Sequence, residues 1–391
     1  MCIRDSTHHI RYVYAVQKAI QERRGPRFFT PWATMNGSNE VLHMEHFKIS
    51  GTESFFAILY SNSSLTLYNI ASSGDYLILQ TLTVTDAASF ATFEIDGNLY
   101  LAVARNSAAP SELYQWNASS KQFVLFNSIP TKGARDVEFV RTPRQGDYLI
   151  FACHYQLPRL NYSSIVYKWV SGDGEFQFLN YQNLDMASNA LSVDSVVTNS
   201  GNVLLVVTHE HRNGNQNTVM YHWNGTYFDD RIDQRQVIPP ETSTKTLLFA
   251  IGTHTFLVGL AGSDAHMLRY DRQSRQFVEY THMNTPGVID TVEYFHTSTE
   301  HFLVFANFIS SQGTSSSSSS SSETLSGDHS NVLVYRIDGV GFKLFQEIQT
   351  SFRVSVIRHF SKGEDCRGIA LASSIGMAEL HQWADTTNHC S

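Results

Sequence analysis

No stretch of this 391-residue chain approaches the roughly 18 consecutive apolar residues that cross a bilayer, so no transmembrane segment is expected. Basic clusters are missing as well: 28 Lys and Arg against 36 Asp and Glu leave a formal charge of −8. A domain that wraps phosphates carries a basic patch, so nucleic acid is excluded as a partner. The N-terminus lacks the apolar core of a secretory signal, which by itself points to the cytoplasm. Met1 to Ser6, however, resemble a translated sequencing adapter, so the natural start is expected to lie upstream and the missing signal carries no weight. Residues 1–25 are set aside as a leader or linker, and residues 26–391 are read as one domain.

Signatures of chemistry are also scarce. There is no G-x-S-x-G elbow, phosphate loop or EF-hand loop. Seventeen histidines show no zinc spacing: His209-Glu210-His211 lacks an i, i+4 pair and reads as an exposed loop, while His43 and His46 read as structural. Of only four cysteines, Cys2 belongs to the leader and Cys153 sits in an apolar run as a buried free thiol. Cys366 and Cys390 flank the second and third strands of the last repeat. Antiparallel pairing brings them together, and a disulfide there is expected to clamp that repeat by about 3 to 4 kcal/mol, in keeping with an oxidising compartment.

What is present is a 42 % hydrophobic composition arranged as a repeat. A Phe followed by a turn and a short apolar run recurs at Phe47, Phe93, Phe139, Phe249, Phe295 and Phe360, with Val197 in the remaining unit, and three of the intervals are 46 residues. Each run precedes an alternating strand such as Leu113-Tyr114-Gln115-Trp116 or Ile165-Val166-Tyr167-Lys168-Trp169. A closing strand follows in most units, as in Phe123 to Ile129 and Phe342 to Ile348. Alternation with period two is a strand signal, and polar turns such as Asn224-Gly225-Thr226 are hairpin chemistry. Seven units of four antiparallel strands predict an all-β, seven-bladed β-propeller. The seventh unit stops after Trp383 without a closing strand, and Phe28 to Met35 precede the first unit with no blade of their own. The N-terminal strand is therefore expected to complete the last blade and remove two open edges. A sandwich array or two smaller β domains is the alternative architecture.

These units resemble the EAR repeat, also called EPTP, of leucine-rich glioma-inactivated proteins and of proteins joining a thrombospondin-type laminin G domain to EAR repeats. The residues that carry the resemblance are Phe93 to Ala104, Ile165 to Trp169 and Phe123 to Ala134, and it extends from about Phe28 to Trp383. The fourth and fifth units depart most, with Val197 in place of Phe and Arg269-Tyr270 in place of Lys-Trp. The resemblance implies a secreted or cell-surface protein whose propeller recognises another extracellular protein, as a receptor-ectodomain ligand or adhesion-type protein, and it implies no enzyme activity. A propeller hydrolase or lyase working at the channel mouth, and a cytoplasmic scaffold, are the competing readings.

Several residues are singled out. Loops between second and third strands share a face with the loops between blades, and they vary most in length; a partner is expected there, at Leu157, Pro158, Arg159, Leu160 and Tyr162 and near Arg212. The serine tract 315–322 reads as a solvated insertion. Asp136, Glu138, Asp194, Asp290 and Glu293 fall on strands expected to line the channel, where carboxylates from different blades suit a structural Ca²⁺ ion. Sequons at Asn36, Asn62, Asn117, Asn161 and Asn224 all fall in expected turns or loops, where a glycan is tolerated.

Overall fold

The computed structural model describes residues 28–37, 39–49, 53–71, 75–142, 146–154, 163–172, 175–184, 189–198, 200–210, 216–229, 236–238, 245–297, 300–309, 329–338, 341–362 and 366–384. They form seven antiparallel sheets. Blade one comprises β2 (Val41–Ile49), β3 (Glu53–Tyr60), β4 (Ser64–Ile70) and β5 (Tyr76–Thr83); blade two, β6 (Ala87–Ile95), β7 (Asn98–Arg105), β8 (Ser111–Asn117) and β9 (Gln122–Ile129). Blade three comprises β10 (Ala134–Thr142), β11 (Gly146–Cys153), β12 (Ser164–Gly172) and β13 (Glu175–Leu184). Blade four has β14 (Ala190–Val197), β15 (Val203–Glu210), β16 (Gln216–Trp223) and an interrupted outer edge, β17 (Phe228–Asp229) and β18 (Gln236–Ile238), both paired with β16. Blade five is β19 (Lys245–Ile251), β20 (His254–Ala261), β21 (Asp264–Asp271) and β22 (Gln276–Asn284); blade six, β23 (Val288–His296), β24 (His301–Ile309), β25 (His329–Asp338) and β26 (Gly341–Gln349). Blade seven joins β27 (Val354–Lys362), β28 (Cys366–Ser373) and β29 (Met377–Ala384) to β1 (Phe28–Asn36), the N-terminal strand.

First strands of successive blades touch all the way round, from β2 to β27 and back to β2, so the ring is closed. The second strands of the blades are buried along most of their length, as in Leu101 to Ala104, Leu149 to Cys153 and Leu303 to Ala306. Both faces of a blade are covered by its neighbours, so these strands read as continuous apolar runs. The core is accordingly divided into clusters that lie between blades; one joins Phe93, Ala102 and Leu113 of blade two to Val137, Phe151 and Tyr167 of blade three.

Outer strands carry a repeated β-bulge. Leu79, Phe126, Tyr181, Tyr280, Phe345 and Trp32 are each passed over by the register with the third strand. A bulge re-aims the residues beside it, and in blades one, three and six the next residue is a glutamine turned toward the following blade. Gln80 accepts from the Phe123 N–H at 2.8 Å and donates to the Phe123 carbonyl at 2.8 Å. Gln182 clamps Phe228 and Gln236 clamps Phe277 in the same two-bond manner. Gln346 does so to Phe29 of the N-terminal strand, at 2.7 and 2.9 Å. The clasp is thus held by the device that joins other blades. Gln346→Ala removes two hydrogen bonds to part-buried backbone and leaves the Phe29 groups unpaired, so a loss of about 2 kcal/mol is expected in urea unfolding. A loss below about 0.5 kcal/mol would show that the amide adds nothing to the β1–β29 ladder.

A candidate recognition face around a charged channel

Loops between second and third strands hydrogen-bond directly to the blade-to-blade loops. The Val84 N–H meets the Ser63 carbonyl, Asn106 meets Asp86, Gly133 meets Ser107, Thr285 meets Ser263, and Gly37 meets Gly376. The two loop classes therefore form one face. Below it lie paired hydroxyls: Ser111 Oγ and Thr131 Oγ1 are 2.7 Å apart, and Thr350 Oγ1 donates to the carbonyls of Ser330 and Phe352 at 3.0 and 2.6 Å. Thr131, Thr285 and Thr350 are all buried. Each lies within the first two residues of a blade-to-blade loop, as in the Ile129-Pro130-Thr131 run, and sequence reading did not single them out.

Loop length differs sharply between the two faces. On this face 154–163 separate β11 from β12 and 310–328 separate β24 from β25, whereas no connection on the opposite face exceeds five residues. The expected contacts Leu157, Pro158, Arg159, Leu160, Tyr162 and Arg212, and the serine tract, lie outside the described residues.

The channel is lined by the first strands, and its charged groups act as ties between blades. Glu45 Oε2 accepts from the Thr92 N–H at 2.8 Å. Asp136 accepts from Ser89 Oγ at 2.7 Å and from the Val193 N–H at 3.1 Å, which links blades two, three and four. Asp194 accepts from the Leu248 N–H at 2.6 Å, and Glu138 from Ser195 Oγ at 2.7 Å. Glu293 lies 2.7 Å from His359 Nδ1 and 3.5 Å from Arg358, and Asp290 takes Arg353 in a two-pronged pair at 2.7 Å. The structure therefore places Asp136, Glu138, Asp194 and Glu293 around one channel and gives Asp290 its own cation. Glu45, Lys245 and Arg358 complete the set; sequence reading missed them because only the ring closure brings them together. Lys245 Nζ is 2.7 Å from Thr291 Oγ1.

Burial raises Glu138 well above the usual carboxylate range, helped by the charge of Asp194. Burial also lifts Asp194 to about 7, against the pull of the Leu248 and Ser195 N–H groups. Burial acts to raise Glu293 too, but His359 and Arg358 outweigh it and hold that carboxyl low. Lys245 is pulled down to about 8 by burial and then by Arg358. Between about pH 4 and 7 the folded protein keeps protons on Glu138 and Asp194 that the unfolded chain releases, so stability falls as pH rises through that window. For Lys245 the unfolded chain holds the extra proton from pH 8 upward, so stability recovers there. Burial holds His43, His46, His222 and His301 below their ordinary value, which pulls the other way up to about pH 6.5. The expected result is therefore a difference: from about pH 5 to 7.5 the melting temperature of Asp194→Asn rises relative to that of the parent.

Among the described residues, no three His, Cys, Asp or Glu side chains are arranged to hold a metal ion. Most oxygens of Asp136 and Asp194 are engaged by neighbouring N–H and hydroxyl groups. The expectation of Ca²⁺ rests on carboxylates from different blades meeting in the channel, which Lys245 and Arg358 share with them. Calcium titration at pH 7.5 decides it: a raised melting temperature with bound metal supports the ion, and no change in either removes it.

Other expected positions divide clearly. Asn62, Asn117 and Asn224 are exposed in turns or at a strand end, and each Oδ1 accepts N–H groups from residues two or three further on. Their Nδ2 atoms, where a glycan attaches, make no hydrogen bond to the described residues. Asn36 ends β1, a strand and not a loop, and Asn161 lies outside the described residues. Cys153 is buried and free, its thiol pushed up to about 12 by burial. Cys366 opens β28, while Cys390 lies outside the described residues. One reading is corrected: His209 is not loop-exposed but buried at 6 %, because β15 runs on through it to Glu210. Among the described residues no helix is long and apolar enough to cross a membrane.

Residues 79–117 and 122–170 match the EPTP domain family. The second match begins at β9, the outer strand of blade two, and ends in β12, the third strand of blade three. Each matched unit is thus offset from the blade by one strand, running from an outer strand through the first three strands of the next blade. A mouse protein, thrombospondin-type laminin G domain and EAR repeat-containing protein, is 27 % identical over 143 residues, which are 35 % of this chain and 21 % of that protein. Among solved structures, BBS1N in its complex with ARL6DN is similar with a TM-score of 0.58 at 11 % identity, covering 93 % of this chain and all of the other. Saccharomyces cerevisiae Sqt1 is similar with a TM-score of 0.54 at 10 % identity, covering 90 % of this chain and 99 % of the other. At such identities these two show the fold alone. The chain is thus a seven-bladed propeller in which two successive units, residues 79–117 and 122–170, are similar to the EPTP (EAR) repeat.

Proposed function

We propose that this propeller is an extracellular protein-recognition module, not an enzyme, and that its partner docks on the face built from the second-to-third-strand and blade-to-blade loops. The observation that carries the reading is the contrast between the two faces. Length variation is concentrated in loops anchored to a hydrogen-bonded rim, while the opposite turns are uniformly short. Recognition loops on a rigid scaffold follow this plan. The EPTP match and the EAR-repeat relative support a binding role and an extracellular setting.

The test is expression behind a heterologous secretion signal, then a cell-surface binding screen with the parent protein and with residues 157–162 replaced by glycine and serine. Secreted protein glycosylated at Asn62, Asn117 and Asn224, with a Cys366 to Cys390 bridge and a partner lost on loop replacement, is the expected outcome. Protein that aggregates on secretion and folds only in a reducing cytoplasm would overturn the extracellular reading. A partner that survives loop replacement would move the docking face elsewhere.

A further inference from the structure

Three Asn-Gly pairs occur in the chain, beginning at Asn36, Asn213 and Asn224. In such a pair the glycine nitrogen can attack the asparagine amide, because no Cβ crowds the approach. Asn213-Gly214 lies outside the described residues. The fold sets the other two apart. The Gly37 N–H donates to the Gly376 carbonyl at 2.8 Å, and the Asn36 backbone is paired with Met377 in the β1–β29 ladder, so the attacking nitrogen is tied down. Asn224 lies beyond the end of β16, exposed in the four-residue turn to β17. Its Oδ1 accepts from the Thr226 and Tyr227 N–H groups, both at 3.0 Å, which folds the amide back over the turn. The Gly225 N–H and Asn224 Nδ2 make no hydrogen bond to the described residues.

We propose that Asn224 is a site of spontaneous deamidation, in which the Gly225 nitrogen attacks Asn224 Cγ, and that a glycan on Asn224 blocks the reaction. The participants are in place: an unengaged nucleophile, an unengaged leaving group, and a carbonyl oxygen held by two N–H groups where negative charge develops. The Gly225 nitrogen gives its proton to hydroxide and bonds to Cγ; the Cγ–Nδ2 bond breaks, and ammonia leaves with a proton from water. The cyclic imide takes up one water at either carbonyl and opens to aspartate or isoaspartate, with nothing oxidised or reduced. Asn117 shares the carbonyl arrangement, accepting from the Ser119 and Ser120 N–H groups at 2.9 and 3.1 Å, but Ala118 follows it. Asn36 shares the glycine without the unengaged N–H. Among the described residues Asn224 alone combines the two. A glycan on Nδ2 puts a bulky glycosylamine in place of ammonia as the leaving group, so the sequon protects the amide that it marks. Isoaspartate adds one carbon to the main chain of a turn that blade three grips: Tyr181 donates to the Thr226 carbonyl at 2.6 Å, and Gln182 clamps Phe228. The reaction therefore acts on the seam between blades three and four. It needs only water, so the inference goes beyond the recognition reading and does not rest on it.

The test ages the unglycosylated full chain at about pH 7.5 in heavy-oxygen water and maps its peptides by mass spectrometry, with isoaspartate counted by enzymatic methyl transfer. Folded protein is expected to take label at Asn224 faster than at Asn36 or Asn117 by about tenfold or more. Unfolded in urea, Asn36 is expected to catch up with Asn224, since only the fold holds the Gly37 N–H, while Asn117 stays slow. Thr226→Ala removes the sequon and keeps the Asn-Gly pair; made behind a secretion signal, it is expected to label at Asn224 where the glycosylated parent does not. No label at Asn224, a rate at Asn36 or Asn117 equal to that at Asn224 in the folded chain, or a Thr226→Ala protein that stays unlabelled would each overturn the proposal. Such a failure leaves the loop-face reading standing, and a partner that survives loop replacement leaves the Asn224 chemistry untouched.

Discussion

Trp383→Ala is expected to lower the unfolding free energy by about 4 kcal/mol and to loosen the ring at its closure. The indole is 7 % exposed and sits among Phe29 at 4.9 Å, Phe302 at 5.0 Å and Phe345 at 5.4 Å. Two of these rings belong to blade six and one to the N-terminal strand, so the cavity left by truncation lies on the seam that holds the chain ends together. Trp116, Trp169 and Trp223 occupy the same place in other blades, each packed edge-on or tilted against the Phe of its outer strand and a ring of the preceding blade. There the outer strand is tethered at both ends by its own chain. In blade seven it comes from the other end of the chain and has no covalent link to β29; it is held by pairing, the Gln346 clamp, this aromatic cluster, Trp32 stacked on Phe360 and the Gly37–Gly376 bond. Urea unfolding gives the energy, and size-exclusion chromatography reports any oligomer formed by a released β1. A loss under about 1 kcal/mol with no change in oligomeric state would show that the β1–β29 ladder suffices alone.

Gly133→Ala is expected to cost about 3 kcal/mol or more and to disturb the recognition face between blades two and three. Gly133 has φ +63°, and a Cβ there would lie 2.2 Å from the His154 carbonyl oxygen. Its N–H donates to Ser107 and its carbonyl accepts from His154, both at 2.7 Å, so it joins three loops of that face. Left-handed strain adds about 1 to 2 kcal/mol and forced overpacking about 1 to 3. Gly97→Ala is the control: φ is +76° there, but nothing lies within 4 Å of the added methyl, so only the backbone term applies. Thermal unfolding of both variants, with limited proteolysis of the segment after His154, separates the effects. Equal losses in the two would remove the packing argument.

Strand pattern was legible because it is local. Alternation and the 46-residue interval mark Phe47, Phe93 and Phe139 wherever they fall in space, and each proves to lie on a first strand. The clasp was legible for the same reason, since the seventh unit stops after Trp383 one strand short and Phe28 to Met35 precede the first unit as one strand too many. The fourth unit, with Val197 in place of Phe, is also where the outer edge breaks into β17 and β18. His209 was misjudged because a polar His-Glu-His run looks like a loop, while burial depends on how far β15 extends.

The site was less legible. Gln346 was visible within the Phe342 to Ile348 run but had no stated role, because its partner Phe29 is 317 residues away. Asp136 and Asp194 were expected in the channel and are there, yet their bonds to Val193 and Leu248 depend on how each blade is rotated against the next. The sequence by itself determined the all-β repeat, the number of blades and the closing strand, since period-two alternation and repeat spacing are properties of neighbouring residues. Only the tertiary structure decided the glutamine clamps and the channel ties, since each is made by side chains that meet across a seam between separate blades.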